Sequence, residues 1–294
     1  MKGRIAGAVV LALVASEVLL RLKGLPKKHD QPGSCDPMMT EPDARNGWLW
    51  RASYALDRDQ GGRVIPFAFD ADHDRAPSTT WTADRAAPSI LFAGESIVEG
   101  HALLWDETIP AIVGGALGIQ TVNLGVQGYG SDQAFVRLAD ALPRFQHPVA
   151  VVSLFFPGMV DRVAWVDRPR LAFDGDALRV TPAGPTWWQD LRLTRTAREL
   201  APWHDADAVA LTARVFAATE RMARARGATA ITLVTYPEGT LSDGDRALVD
   251  RVVGGTRVVE RSYVPIPGDG HPDAPSARRL AEAVVEALRD ARVR

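Results

Sequence analysis

The sequence predicts a three-layer α/β/α fold built on a mostly parallel sheet. Three apolar runs, at residues 90–93, 149–156 and 229–236, contain mainly aliphatic and aromatic side chains, as expected of strands buried on both faces. Segments with helical spacing of apolar residues lie between these runs. Because strands that alternate with helices form parallel sheets covered on both sides, the pattern indicates this fold class.

The elements can be assigned in chain order from residue 89, and a single catalytic domain is predicted for residues 89–294. An apolar content of 46% permits a core of that size. The predicted strands are 90–93, 121–124, 149–156, 229–236 and 257–264, and the predicted helices are 107–117, 132–142, 208–226 and an amphipathic closing helix at 275–292.

Residues 1–28 are predicted to be a signal peptide or an N-terminal membrane anchor. Residues 5–20 are apolar except for Ser16 and Glu17, and basic residues flank the run on both sides. The run is short for a span, which usually needs about 20 apolar residues. The segment predicts a membrane-anchored or secreted protein on the extracytoplasmic, periplasmic side; a soluble amphipathic helix is the alternative.

Residues 29–88 are predicted to form a linker and an irregular segment that packs on the main domain. The segment is rich in Pro, Asp, Arg and Gly, with short strands expected at 47–51 and 63–69. Its tryptophans are interpreted as packing residues. The His–Asp cluster at 71–74 is interpreted as a solvated turn rather than a metal pair.

Composition excludes several classes of function. A net charge of −2 gives no electrostatic case for binding nucleic acid. Cys35 is the only cysteine, so the chain has no intrachain disulfide and no cysteine-based metal cluster. The glycines of 125–130 do not have the Gly-x-Gly-x-x-Gly spacing of dinucleotide-binding loops. No His, Asp or Glu set has metal-ligand spacing on one element, so neither a metal nor a cofactor is predicted.

Candidate catalytic residues follow two of the predicted core elements. Ser96 comes directly after the first strand, and Asp269 and His271 come just before the closing helix. In an open α/β sheet these positions meet at the carboxyl edge, where ligands bind. Ser, Asp and His in this order suit a nucleophile, an orienting carboxylate and a general base. The alternatives are that Ser96 only caps a helix and that His271 is a surface turn residue.

These residues resemble the sequence blocks of the SGNH/GDSL hydrolases, in particular bacterial members with an N-terminal membrane segment. Gly94-Glu95-Ser96 is similar to the Gly-Asp-Ser block, and residues 123–130 resemble the second block. The resemblance implies that Ser96 is the nucleophile and that the backbone N–H groups of Ser96 and Gly128 form the oxyanion hole. It also implies that His271 is the general base and that Asp269 is the carboxylate that orients it, although the family more often has two residues between them. Asp273 is a less favoured candidate for the orienting carboxylate.

The third block departs from the family pattern. The family has an Asn that completes the oxyanion hole, whereas residues 158–161 read Gly-Met-Val-Asp, and neither Met159 nor Val160 can donate a hydrogen bond. Loss of one such donor lowers the rate by roughly 100- to 1000-fold in other enzymes. The sequence offers His101, Gln127 and Asn123 as substitute donors. The predicted substrate-binding residues are His101, Gln127 and Asp161.

A long segment after the third strand, residues 163–206, is rich in tryptophan. Such a segment predicts either a lid or acyl- or glycan-binding wall at the site, or aromatic side chains that pack helices together. Its four tryptophans are Trp165, Trp187, Trp188 and Trp203.

The sequence therefore predicts a serine esterase or deacylase that hydrolyses an O-acyl ester of a glycan or a lipid-like molecule. An O-acyltransferase that uses the same site is one alternative. A binding module that has lost catalysis is the other, and the missing Asn is its main support. The expected partners are the acyl-ester substrate and, through the N-terminal segment, a membrane.

Overall fold

Five parallel strands form the central sheet of the structure, a computed structural model that describes residues 2–24, 38–60, 62–163, 168–175, 177–182, 191–193, 196 and 206–293. In chain order the strands are β1 (Thr40–Asp43), β2 (Gly47–Trp50), β3 (Tyr54–Gln60), β4 (Arg63–Phe69), β5 (Pro88–Ala93), β6 (Gln120–Asn123), β7 (His147–Phe155), β8 (Arg170–Asp174), β9 (Ala177–Thr181), β10 (Thr229–Pro237) and β11 (Val258–Tyr263). The α-helices within the described ranges are α1 (Lys2–Leu22), α2 (Ser96–Glu99), α3 (Ile109–Leu117), α4 (Ser131–Ala141), α5 (Gly158–Val163), α6 (Ala206–Ala225), α7 (Asp243–Val253) and α8 (Ala274–Asp290).

The central sheet has the strand order β11–β10–β7–β5–β6 with every pair parallel. Numbered along the chain, this order is 2-1-3-4-5, the order of flavodoxin-like folds. The chain runs from β5 to β6 on one side and then crosses to β7 on the other, so a crevice lies at the carboxyl end of β5. The predicted α/β/α fold with a parallel sheet is confirmed.

Both faces of the sheet are buried, which explains the continuous apolar runs in the sequence. In β5, Ile90 and Phe92 pack into a core that includes side chains of α3 and α8. Leu91 and Ala93 point to the opposite face and pack against α4. With helices on both faces, no position of this strand is left for a polar side chain to face water.

The strands and helices predicted for the main domain are present, and their ends lie within two residues of the predicted ends. Helix α7 and the β8–β9 hairpin were not predicted. The loop predicted at 155–161 is wrong from Gly158 onward, because α5 begins there. The expected strands before the main domain are present as β2 and β4. Trp165, Trp187, Trp188 and Trp203 lie outside the described residues.

Two hairpins, β1–β2 and β3–β4, hold the segment before β5 against the loop after β6. Trp50 is buried and donates from Nε1 to the carbonyl of Gly125 at 2.7 Å. Trp48 donates from Nε1 to the carbonyl of Gln127 at 3.2 Å, and the Tyr129 hydroxyl donates back to the carbonyl of Trp48. These bonds fix the backbone of the loop after β6.

Helix α1 presents its apolar side chains to solvent. Near its end, the Glu17 carboxylate accepts hydrogen bonds from the backbone N–H groups of Arg192 and Leu193 and from the Arg21 side chain. Among the residues that the structure describes, no helix is long and apolar enough to cross a membrane.

Arg75 fixes the chain that follows α2. Its side chain is 1% exposed, and the guanidinium donates to the carbonyls of Glu99, Gly100 and Leu103 at 2.7–2.8 Å. Burial lowers the pKa of Arg75 to about 10, with the Glu99 charge opposing the shift, so the group stays charged at neutral pH. One buried cation thus holds three carbonyl groups of a loop at the edge of the crevice.

We expect Arg75→Met to lower the free energy of unfolding by at least about 3 kcal/mol, because it removes a buried guanidinium group that donates three charge-assisted hydrogen bonds to backbone carbonyls. Urea unfolding would measure the change. Arg278→Met is the matched control: Arg278 is exposed on α8, and its loss should change the free energy by less than about 0.5 kcal/mol. Equal stability of the two variants would contradict this role for Arg75.

Candidate active site

Ser96 lies at the first position of α2, where the chain turns off β5. Glu95 caps this short helix, which Gly100 ends with a φ of 86°, in the left-handed region. The Ser96 side chain is buried, and its backbone N–H has no acceptor inside the helix because it belongs to the first turn. The nucleophile predicted from the sequence therefore stands at the carboxyl end of β5, beside the crevice.

Ser96, His271 and Asp269 form a chain of hydrogen bonds. Ser96 Oγ lies 2.7 Å from His271 Nε2. His271 Nδ1 is bonded to Asp269 Oδ1, and the backbone N–H of His271 donates to the same oxygen at 3.0 Å. The single residue between Asp269 and His271 is thus accommodated by a tight turn. Asp273 instead caps α8, accepting from the N–H of Ser276 at 2.8 Å.

The environment keeps Asp269 ionised. Partial burial would raise the pKa of Asp269, but the hydrogen bond from His271 and the charges of His271 and His101 outweigh it, so the pKa lies below its usual value. An ionised carboxylate can only accept hydrogen bonds. His271 Nδ1 must therefore carry a proton, which leaves Nε2 of the neutral ring as the acceptor that faces Ser96.

His101 contacts Asp269 rather than the open crevice. His101 Nε2 lies 3.1 Å from Asp269 Oδ2, and the His101 and His271 rings stack with centroids 4.1 Å apart. Burial, followed by the charge of His271, lowers the pKa of His101 to about 4, against the opposing effect of Asp269. Sequence reasoning assigned His101 to substrate or oxyanion binding; its hydrogen bond goes to Asp269 instead.

Glu95 stands where the family pattern has Asp, and its carboxylate is fully buried. Oε1 accepts from the backbone N–H of Ile97 at 2.8 Å, and Oε2 accepts from the Ser96 hydroxyl. Arg162 donates from Nη1 to Oε2 at 3.1 Å. Burial would raise the pKa of Glu95, but the charges of Arg162 and His271 and the two hydrogen bonds outweigh it and hold the pKa below its usual value.

The resemblance implies that two backbone N–H groups bind an oxyanion. The N–H of Ser96 is one. The other belongs to Gly128, whose φ of 81° lies in the left-handed region that favours glycine, and it donates no backbone hydrogen bond within the described part of the chain. The Gln127 side chain beside it is half-buried. These are the two backbone donors that the resemblance implies.

Asn123 cannot supply the missing side-chain donor. Its Nδ2 donates to the carbonyls of Val98 at 2.9 Å and Glu99 at 3.4 Å, so both N–H groups of the buried amide are engaged, and its Oδ1 accepts from the N–H of Gly125 at 3.0 Å. The expectation that Asn123 could substitute for the family Asn is wrong. Its role is to hold the loop after β6 against α2.

The third block reaches the site through Arg162, a residue that sequence reasoning missed. Met159 and Val160 point into the hydrophobic core, while Asp161 lies on α5 beside Arg162. Arg162 Nη1 contacts Glu95 and also donates to the carbonyl of Tyr129 at 3.0 Å. The side chain is 23% exposed. A basic residue two positions after the expected Asn was the available signal.

One set of three side chains in the described part of the chain could present ligands to a metal: His101, Asp269 and His271. The two imidazole rings stack with their planes 28° apart, so their in-plane lone pairs run side by side rather than converge. Both rings also hydrogen-bond to the carboxylate between them. The arrangement fits a hydrogen-bonded chain better than a metal site.

No family model matches the chain, and no curated protein sequence matches it. Among solved structures, the chain is similar to TesA, with 19% identity over 69% of this chain and 98% of that chain and a TM-score of 0.46. It is also similar to a member of the lipolytic protein G-D-S-L family from Veillonella parvula, with 12% identity over 68% of this chain and 97% of that chain and a TM-score of 0.41. A third similar structure is AlinE4, an SGNH-hydrolase family esterase, with 15% identity over 72% of this chain and 98% of that chain and a TM-score of 0.36.

The topology of the sheet confirms the predicted three-layer α/β/α fold. The five-stranded parallel sheet, its 2-1-3-4-5 order and the covering helices are those of the three-layer architecture that the resemblance implies. With identities below 20% and TM-scores below 0.5, the neighbours carry no argument about activity. Activity has to be inferred from the side chains at the end of β5. The bacterial origin and the membrane anchor stay predictions.

We expect Arg162→Met to lower the free energy of unfolding by about 3 kcal/mol at pH 7, because it leaves the Glu95 carboxylate buried without its cation. A double-mutant cycle with Glu95→Gln would measure the coupling by urea unfolding. The double variant should lose less free energy of unfolding than the two single variants lose when their losses are added. Additive effects would contradict a coupled pair.

The same pair predicts a pH dependence. The folded-state pKa of Glu95 lies below the ordinary 4.5, so its contribution to stability is present above about pH 4.5 and is lost as pH falls through the folded-state pKa. The stability difference between the wild type and Glu95→Gln should therefore narrow between pH 7 and pH 3. A constant difference across this range would show that Glu95 is not held ionised by its partners.

Proposed function

We propose that this protein is a serine esterase or deacylase that hydrolyses an O-acyl ester of a glycan or a lipid-like alcohol. The observation that carries the proposal is the chain from Ser96 Oγ to His271 Nε2 and from His271 Nδ1 to Asp269. Its position at the carboxyl end of β5, next to two backbone N–H donors, supports acyl transfer through the serine rather than a capping role alone.

In the proposed first half-reaction, Ser96 Oγ attacks the ester carbonyl carbon while His271 Nε2 takes the hydroxyl proton. The carbonyl electron pair moves to oxygen, and the N–H groups of Ser96 and Gly128 bind the oxyanion. The tetrahedral intermediate then expels the alcohol, which takes the proton from His271. Asp269 stabilises the imidazolium that exists between these steps.

In the second half-reaction, water attacks the acyl carbon and gives its proton to His271. The second tetrahedral intermediate releases the carboxylic acid, and the proton returns from His271 to the oxygen of Ser96. An acceptor alcohol in place of water would make the enzyme an acyltransferase by the same steps.

The first test is labelling by a fluorophosphonate, read by intact mass and peptide mapping, with p-nitrophenyl acetate turnover alongside. We expect one adduct on Ser96, with adduct and turnover both absent in Ser96→Ala. Asp269→Asn should lower kcat on the order of 10⁴-fold, because an amide that donates to His271 Nδ1 leaves the proton on Nε2, the wrong tautomer for a base that faces Ser96. Asp273→Asn is the matched control in the same loop, and it should keep activity because Asn caps a helix as well as Asp.

Two outcomes would replace the proposal. The protein would be an acyltransferase if Ser96 formed an adduct, no ester were hydrolysed, and the acyl group were transferred to an added sugar alcohol. Folded protein that shows neither an adduct nor Ser96-dependent turnover would assign a binding module. The substrate class would follow from comparing p-nitrophenyl esters of increasing acyl length with acetylated sugars.

The cellular location is also a proposal. The apolar α1 helix and the basic residues around it support export, as a secreted or membrane-anchored extracytoplasmic protein. Recovery of the full-length protein only from the cytoplasmic fraction would overturn this proposal.

A further inference from the structure

We propose that His101 is a positioning residue that holds the second oxygen of the Asp269 carboxylate, so that Asp269 is clamped between two histidines. The inference rests on the proposed function, because its effect on the reaction passes through Asp269 and His271. It gives a role to a side chain for which the sequence indicated contact with the substrate or the oxyanion.

Asp269 has each of its oxygens engaged by a different ring. Oδ1 is bonded to His271 through Nδ1 and through the backbone N–H. Oδ2 faces His101 Nε2 at 3.1 Å. Because an ionised carboxylate only accepts, His101 must carry its proton on Nε2 and donate it to Oδ2. With both oxygens bound, the carboxylate plane cannot rotate without breaking a bond.

The His101 ring is held in place from three sides. It stacks on the His271 ring, its side chain is only 11% exposed, and Gln60 Nε2 lies 3.4 Å from the ring nitrogens. Its backbone N–H donates to the carbonyl of Ser96 at 2.9 Å. The same residue therefore links the turn of the nucleophile to the carboxylate at the far end of the hydrogen-bonded chain.

The backbone on either side of His101 is also fixed. Arg75 donates to the carbonyls of Glu99, Gly100 and Leu103, which bracket His101 in sequence. The loop is therefore held in place by the buried Arg75 side chain, and His101 can fix the position of Asp269. A residue on an unrestrained loop could not do so.

Burial, more than the neighbouring charges, keeps His101 neutral while it donates. Its pKa of about 4 reflects burial first and the charge of His271 second, with Arg58 in the same direction and Asp269 opposed. A neutral donor positions Asp269 without cancelling its negative charge. That charge remains available to stabilise the His271 imidazolium during the reaction.

The test compares His101→Leu, which removes the donor, with His101→Gln, whose amide can still donate to Asp269. In His101→Leu we expect kcat/KM for p-nitrophenyl acetate to fall about tenfold. The acid limb of its pH profile should also move to higher pH, because Asp269 with one donor fewer attracts the His271 proton more strongly. In His101→Gln both quantities should stay near the wild type.

If kcat/KM fell equally in the two variants and the acid limb of the pH profile did not shift, the proposal would be overturned and His101 would have only a packing role. An unchanged pH profile and rate in His101→Leu would also overturn it. The low-field proton NMR signal of the His271–Asp269 bond gives a readout that does not need turnover. This signal should change in His101→Leu and not in His101→Gln. Failure of the proposed function would give a different result, because the wild-type protein would then show no Ser96-dependent hydrolysis.

Discussion

One buried carboxylate organises the end of β5. Glu95 accepts from the backbone N–H of Ile97 and from the hydroxyl of Ser96, and it pairs with Arg162. A carboxylate removed from water loses several kcal/mol of solvation, so it persists in a core only when its oxygens are bonded and its charge is compensated. Meeting that requirement fixes the turn off the strand, the position of the Ser96 hydroxyl oxygen and the position of α5.

Arg162 extends this constraint to the second loop of the site. Its Nη1 bridges Glu95 and the carbonyl of Tyr129, so the loops that carry the N–H groups of Ser96 and Gly128 are tied together by one guanidinium group. The hairpins before β5 hold the second loop from its other side. The two N–H groups proposed to bind the oxyanion are therefore held by the same contacts although they come from different elements.

The sheet and its helices could be predicted from sequence because β5, β7 and β10 each contain a run of mainly apolar side chains. The position of Ser96 could be predicted because it follows β5, and those of Asp269 and His271 because they precede the amphipathic helix α8. The parts that were missed depend on side-chain direction within short segments. Val160 points into the core and Arg162 points to Glu95 because the chain coils into α5, and no periodicity can be read from six residues.

The position of the Ser96 proton follows from its two acceptors, Glu95 and His271. One hydroxyl proton can serve only one of them. While it points to Glu95, the lone pair of Ser96 Oγ faces His271 Nε2, and that arrangement is favourable only when Nε2 itself carries a proton. Neutral His271 therefore favours the orientation in which the Ser96 hydroxyl donates to Nε2, whereas a protonated Nε2 favours donation to Glu95. The hydrogen bond of Ser96 thus depends on whether Nε2 of His271 carries a proton.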